Sequence, residues 1–188
     1  GCALQHASDQ FLEDWKTETV KSALEAQGLT TSFRPVAVSP AGSRRRASLA
    51  GRRTKKGAVV GFHGRASETL HTIPNCTLLD AKILAAVPLL EALTKLGASR
   101  KAEVLFAVTL SDTGLDVSVT GAKASDGPLL AELGQFVARH PLARLSWNGD
   151  VIATNNPPVQ KFGHSEVVPP PDAFLQATVA GQDVLTRA

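Results

Sequence analysis

The chain has 188 residues, of which 43% are hydrophobic and 20% are charged. This composition is typical of a globular protein and excludes a disordered one, and no apolar run reaches the roughly 20 residues that a bilayer-spanning helix requires. The formal net charge is only +3, a total that conceals a strongly polarised distribution along the chain.

The first half of the chain is predicted to contain one helix and one strongly basic hairpin. A helix is expected over residues 7–27, with Gly28 placed to cap its end. After a turn-rich break at residues 39–42, a β-hairpin is predicted from strands at 44–50 and 57–63, joined by residues 51–56. A short strand at residues 69–73 is expected to return beside the hairpin.

The second half is predicted to alternate helices with hairpins. A helix over residues 79–96 contains Pro88, which predicts a kink or a shortened start. A hairpin follows at residues 102–110 and 115–120, and a helix at residues 126–139. Residues 144–147 and 151–153 form a second hairpin around Asn148-Gly149, and a last helix begins at Thr178.

These elements favour an α+β fold, with a mostly antiparallel sheet built from hairpins and packed with about three helices. We expect no regular strand–helix–strand crossover and no parallel unit anywhere in the chain. The predicted core consists of nine apolar side chains: Leu84, Val87, Leu93, Val104, Phe106, Val108, Leu133, Phe136 and Trp147.

The segment from Arg34 to Arg65 carries nine cations and no acid, whereas the rest of the chain has a net charge of −6. Such a block attracts a polyanion, and phosphate backbones are the commonest target of this arrangement. A solvated basic loop is the alternative interpretation. In an extended strand Arg45 would face away from Arg44 and Arg46, so one of these two faces is expected to pair with acids or with another buried group.

Chemical motifs are scarce. The chain contains neither a phosphate-binding glycine loop nor a nucleophile elbow, and its five histidines have no metal-ligand spacing. Its two cysteines, Cys2 and Cys76, favour a reducing compartment, and they could be unrelated buried thiols. With no signal peptide at the start, a cytoplasmic protein is expected. The chain has no methionine and opens on Gly-Cys, which favours a piece of a longer protein.

Five local signals occur in an informative order. They are Gly1-Cys2-Ala3-Leu4-Gln5-His6, Ser43-Arg44-Arg45-Arg46-Ala47-Ser48-Leu49, Gly61-Phe62-His63, Ile73-Pro74-Asn75-Cys76 and Pro170-Pro171-Asp172-Ala173-Phe174-Leu175-Gln176. This succession resembles the RNA (uracil-5-)-methyltransferase family, in particular the 23S rRNA uracil-C5 methyltransferases, over essentially the whole chain.

The resemblance implies two cofactors in a full-length parent, a 4Fe–4S cluster and S-adenosylmethionine. Cys2 matches the third cluster ligand and Cys76 the fourth, so this piece would supply two of the four thiolates that such a cluster needs. Gln176 matches a glutamine near the methyl donor and the target base, although an isolated glutamine is usually a solvent-facing helix cap. We expect that this piece alone binds neither cofactor.

The same resemblance assigns the basic hairpin to ribosomal RNA. The predicted RNA contacts are Arg44, Arg46, Arg52, Arg53, Lys55, Lys56 and Phe62. Phe62 could stack on an unpaired base, or it could belong to the core. No membrane and no protein partner are indicated.

Residues 1–171 are therefore predicted to be a central RNA-binding domain with part of the cluster ligand set, and residues 172–188 the start of a Rossmann-like catalytic domain. The catalytic nucleophile and base would lie beyond Ala188, so the piece is expected to be inactive although its parent is an enzyme. The alternative hypothesis is a non-enzymatic RNA-binding module with incidental thiols.

Overall fold

The structure is a computed structural model that describes residue 4, residues 6–99 and residues 102–187. The chain divides into two compact units, one ending at Val38 and the other beginning at Ser39. Residues 172–187 belong to the second unit. The boundary expected at residue 172 concerns a longer protein and stays a prediction.

The first unit contains one helix, α1 (Asp9–Glu25), close to the predicted bounds. It begins after Ser8, whose side-chain oxygen accepts a hydrogen bond from the Phe11 amide at 3.2 Å. It ends before Gly28, which has a φ of 72°. The Leu29 amide then donates back to the Leu24 carbonyl at 3.0 Å, so the glycine acts as the left-handed cap that the sequence predicts.

The second unit is built on a seven-stranded sheet with the order β3-β2-β1-β4-β5-β6-β7. The strands are β1 (Arg46–Arg53), β2 (Ala58–His63), β3 (Leu70–His71), β4 (Val104–Ser111), β5 (Gly114–Thr120), β6 (Leu142–Trp147) and β7 (Asp150–Thr154). All neighbouring pairs are antiparallel except β5 and β6. The predicted α+β class and mostly antiparallel sheet are confirmed.

One expectation about the sheet is wrong. Strands β5 and β6 pair in parallel and are joined through α4 (Gly127–Arg139), which makes a strand–helix–strand crossover. Every residue of β6 is buried. The Asn-Gly turn after β6 correctly predicted its hairpin with β7, but the periodicity of a strand reports which of its faces are buried and not the direction of the strand on its other side.

Four helices belong to this unit: α2 (Ala81–Ala85), α3 (Val87–Gly97), α4 and α5 (Val179–Arg187). The predicted helix over 79–96 is divided at Ala86, and Pro88 lies in the first turn of α3, where its missing amide costs nothing. With α1, the described part of the chain has five helices, and the three that pack on the sheet, α2, α3 and α4, agree with the predicted number.

The core lies between the sheet and helices α2, α3 and α4. Of the nine predicted core residues, Leu93, Val104, Phe106, Val108, Leu133 and Trp147 are fully buried, and Leu84, Val87 and Phe136 are half-buried against the same cluster. A Cβ on Gly97 would collide with the ring of Trp147. Glycine at the end of α3 therefore allows the helix to approach this large side chain closely.

A second, two-stranded sheet was not predicted. It consists of β8 (Gln160–Phe162) and β9 (Ser165–Val167), which turn at Gly163 with a φ of 61°. The prolines at both ends of residues 156–172 suggested an irregular segment. Because the two strands are only three residues long, a short polar hairpin of this kind leaves little periodic signal.

Candidate nucleic-acid interface

Among the described residues, helices α2, α3 and α4 pack on one face of the sheet, and we call the other face the open face. In β1 the even-numbered residues belong to this face: Arg46, Ser48, Ala50 and Arg52. The register partners of the first three on β4 are Thr109, Ala107 and Leu105. Ser48 is exposed and Leu105 is 52% exposed, whereas the opposite side of the same strands is buried beneath α2 and α3.

Residues 169–182, which we call the C-terminal segment, begin on the open face. A guanidinium nitrogen of Arg144 on β6 donates to the Pro169 carbonyl at 2.9 Å. The same side chain forms a buried, two-pronged pair with Asp116 on β5, with contacts of 2.9 and 2.7 Å. This pair fixes where the segment begins its path across the strands.

The segment reaches β1 at Arg46. The Nη2 atom of Arg46 lies 3.3 Å from the Asp172 carboxylate, and its guanidinium lies 5.9 Å from the ring centroid of Phe174. Phe174 is 78% exposed. An aromatic ring beneath a guanidinium, both open to solvent on one side, is a surface on which an unpaired base can stack.

Beside this segment is a shallow groove of about 320 Å³ on the open face. Its floor is made of small side chains on the central strands, including Ser48, Ala50, Ala107, Ser118 and Thr120. Asp172 stands at one edge and His63 at another. Because these side chains are small, a planar group could approach the sheet closely here.

Arg52 is paired with one acid and one backbone carbonyl. Its guanidinium forms an ion pair with Glu103 and donates to the Glu68 carbonyl at 3.0 Å. The other Glu103 oxygen lies 3.0 Å from Nε2 of His63. Two of the six predicted cationic RNA contacts, Arg46 and Arg52, therefore already have acidic partners on the open face.

The other four predicted cations are exposed and have no ion pair among the described residues: Arg44, Arg53, Lys55 and Lys56. They do not form one patch. Arg44 bridges to Leu79 beside the start of α2, while Arg53 lies nine residues further along, about 30 Å away at roughly 3.3 Å per residue.

Three cations meet at the hairpin turn instead. Thr54 donates to the Gly57 carbonyl at 2.9 Å, and this turn presents Lys55 and Lys56 next to Arg53. Lys95 joins them, because its Cε lies 3.7 Å from where a Cβ on Gly57 would stand. We call Arg53, Lys55, Lys56 and Lys95 the tip cluster. Lys95 was not predicted, since only the packing of α3 on β2 brings it near.

The remaining predicted site residues, Phe62 and Gln176, are both half-buried but have different neighbours. Phe62 is half-buried and packs against the core, as the alternative interpretation proposed, and Phe174 is the more exposed aromatic. Gln176 is half-buried and its backbone carbonyl accepts a hydrogen bond from Arg45 at 3.2 Å. Their roles toward RNA and toward a methyl donor stay predictions.

The chain does not contain a full ligand set for an iron–sulfur cluster. Cys2 lies outside the described residues, and Cys76 is half-buried against the core. In the described ranges no group of three His, Cys, Asp or Glu side chains could hold a metal. Two cysteines alone cannot ligate a cluster that takes four thiolates.

The crevice at the parallel pair is filled by the chain's own side chains. In open sheets with parallel strands, ligands bind outside the carboxyl ends of those strands. At the ends of β5 and β6, the Asn148 amide bonds to the backbone of Ala122 at 2.9 and 3.2 Å. The Trp147 indole donates to the Lys123 carbonyl at 2.9 Å. The expectation that the chain has no parallel unit is therefore wrong. The crevice of the parallel pair is nevertheless filled by Trp147 and Asn148.

Curated relatives match the chain from end to end. A protein of Caulobacter vibrioides is 36% identical over 100% of this chain and 47% of its own length. Proteins of Agrobacterium fabrum and Rhizobium meliloti are 34% and 31% identical, each over 100% of this chain and 45% of its own length. All three are named uncharacterized RNA methyltransferases. The chain thus spans a little under half the length of these relatives.

No protein-family model matches the chain. Among the residues that the structure describes, none of the helices has the length and apolar character needed to cross a bilayer.

Proposed function

We propose that this chain is the RNA-binding part of an RNA methyltransferase. The observation that carries the proposal is the match over the whole chain to relatives named RNA methyltransferases. The tip cluster and the open face support it, because they combine unpaired cations with an accessible aromatic ring. From the resemblance of its sequence motifs to the uracil-5-methyltransferases, we further propose that the parent enzyme methylates uracil C5 in 23S ribosomal RNA.

In this proposal the tip cluster contacts phosphates. Lys55 and Lys56 are exposed on the turn, and Arg53 and Lys95 flank it without an acidic partner among the described residues. Side chains of this kind fix the position of an RNA strand but do not read its sequence. The strand would then continue onto the open face toward Phe174.

The open face would hold an unpaired base. Phe174 offers a ring for stacking, Arg46 a cation above it, and the adjacent groove of about 320 Å³ a recess of small side chains. Stacking on an aromatic side chain is worth about 1–3 kcal/mol per base. The Gln176 amide can both donate and accept hydrogen bonds, which would suit the edge of such a base.

The methyl group would come from S-adenosylmethionine, which supplies an electrophilic methyl when it is bound. We propose Gln176 as a contact for it, and the crevice at the parallel pair is filled by Trp147 and Asn148. One or two hydrogen bonds, each worth about 1 kcal/mol net, fall far short of micromolar affinity. This chain would therefore bind and orient RNA for chemistry performed by other residues.

The test is the salt dependence of RNA binding. The affinity of the purified chain for a uridine-containing RNA oligonucleotide is measured over a range of salt concentrations, for the wild type and for Arg53→Ala/Lys55→Ala/Lys56→Ala. Three lost phosphate contacts should flatten the slope of log affinity against log salt by about 2, at about 0.7 per contact on a single strand.

The matched control removes three exposed cations elsewhere, Lys82, Arg139 and Arg187. These lie at the start of α2 and the ends of α4 and α5, so we expect the wild-type slope. If both triple variants change the slope equally, or if the wild type does not bind RNA, the proposal fails.

A further inference from the structure

Arg45 is a buried cation whose partners are all neutral amides. It is 7% exposed. Its Nη2 donates to the Gln182 side chain at 2.7 Å, its Nη1 to the Gln160 side chain at 3.4 Å, and its Nε to the Gln176 carbonyl at 3.2 Å. Among the described residues no carboxylate forms a hydrogen bond with it.

The backbone of Arg45 joins the same two parts of the molecule. Its amide donates to the Ala177 carbonyl, and its carbonyl accepts from the Leu110 amide of β4, both at 2.8 Å. One residue therefore ties the sheet to the C-terminal segment through both its main chain and its side chain. Gln182 continues the link, since its amide donates to the Lys161 carbonyl on β8 at 2.8 Å.

Arg45 and Arg46 hold the segment at two places. Arg46 holds Asp172 and stands over Phe174, while Arg45 holds Gln176, Ala177 and Gln182. Phe174 lies between these attachments. The position of its ring is therefore set by attachments on both sides of it along the chain, in addition to the Pro169 contact.

Burying a guanidinium that has no hydrogen-bonded carboxylate costs free energy, so stabilising the fold is a poor explanation for Arg45. Burial lowers the pKa of Arg45 from its ordinary value, and Asp112 and Asp183 offset this only from a distance. A buried charge can often be replaced by apolar groups without loss of stability. A guanidinium instead provides donors in a rigid, planar fork, which fixes the geometry of three separate acceptors.

We propose that Arg45 is a positioning residue: it holds the C-terminal segment against the sheet so that Phe174 and Gln176 face the RNA. This rests on the proposed function for the RNA contacts. The placement of the segment itself is a property of the folded chain, so it can be tested without RNA.

The first test is amide hydrogen exchange of the purified chain in Arg45→Lys and in the wild type. Lysine keeps the charge but cannot reach three acceptors. Exchange of the amides in residues 177–187 should accelerate about tenfold or more, while exchange in β4 and β5 changes less than about twofold. Arg44→Lys, one residue earlier and exposed, is the matched control and should leave both regions unchanged.

If Arg45→Lys does not fold, Gln182→Ala removes the 2.7 Å bond from the other side, and the same selective acceleration is expected. Unchanged exchange in residues 177–187, or acceleration shared equally with β4 and β5, would overturn the inference. The second outcome would make Arg45 a general stabilising residue.

The second test uses RNA. Arg45 contacts no phosphate in this account, so Arg45→Lys should weaken RNA binding several-fold with an unchanged salt slope. Phe174→Ala should do the same, and the double variant should be no weaker than the single ones, because both act through one ring. Additive losses would contradict the positioning role. Absence of RNA binding by the wild type would sink the proposed function and leave the exchange result standing.

Discussion

Asp172 has a φ of 55°, a left-handed conformation that few residues other than glycine and asparagine adopt. It is the third residue of a turn closed by the Ala173 amide and the Pro170 carbonyl at 3.2 Å, and Pro171 precedes it, as in a type II turn. Glycine would fit this backbone at less cost. The carboxylate that glycine lacks is the one that holds Arg46, which explains why an acid occupies a strained position.

This ion pair predicts that Asp172 restrains RNA binding. In Asp172→Asn the left-handed turn is tolerated, but Arg46 loses its acidic partner and becomes available to a phosphate. We expect tighter RNA binding at low salt and a salt slope steeper by about 0.7, as for one added contact. Asp150→Asn, which removes an exposed carboxylate from β7, is the control for net charge. Equal effects of the two variants would contradict the prediction.

At the residue scale, the sequence identified the cations but not which of them are paired with acids, buried or exposed. The nine-cation block was evident, yet its members divide into paired Arg46 and Arg52, buried Arg45 and an exposed tip. Glu103, which neutralises Arg52, lies about fifty positions away along the chain. Only the pairing of Gly51 with Val104 brings that part of the chain beside the hairpin, and long-range register cannot be derived from local pattern.

At the scale of elements, local chemistry predicted most of the structure. Caps located the helices: Asp126 accepts from the Leu129 amide at 2.9 Å at the start of α4. Turn residues located the hairpins, since Asn148 and Gly149 take φ values of 50° and 99°, as a type I′ turn requires. The parallel pairing of β5 with β6 was missed because strand order is set by how α4 packs, not by either strand's own sequence.

Gly61 gives an element-scale prediction. It pairs with Ala50 in the hairpin, and a Cβ there would collide with the His71 carbonyl of β3. Gly61→Ala should therefore displace β3 and lower the free energy of unfolding by about 1–3 kcal/mol. Gly134→Ala is the matched control: nothing lies within 4 Å of its Cβ position in α4, so the better helix propensity should stabilise by up to about 1 kcal/mol. Urea unfolding measures the free energy of unfolding of both variants, and changes of the same sign in the two would contradict this prediction.

At the scale of the whole molecule, the second unit has two chemically different sides. One side carries α2, α3 and α4 over an apolar core, and the other carries the open face, the groove and Phe174. Four cations that have no acidic partner among the described residues lie at the hairpin tip. The sequence predicted an RNA-binding hairpin, but it did not predict that the C-terminal segment begins on the open face and is held by Arg46 and Arg45.

The most direct test of the central claim is to map where RNA contacts the folded chain. Ultraviolet crosslinking of a uridine-containing oligonucleotide, followed by mass spectrometry of the attached peptides, identifies the contacting residues. The account predicts crosslinks on peptides that contain the hairpin turn at Lys55 and Lys56 and on the peptide that contains Phe174, with none on α4. Crosslinks concentrated on the helical side, at Lys82 or Arg139, would contradict it.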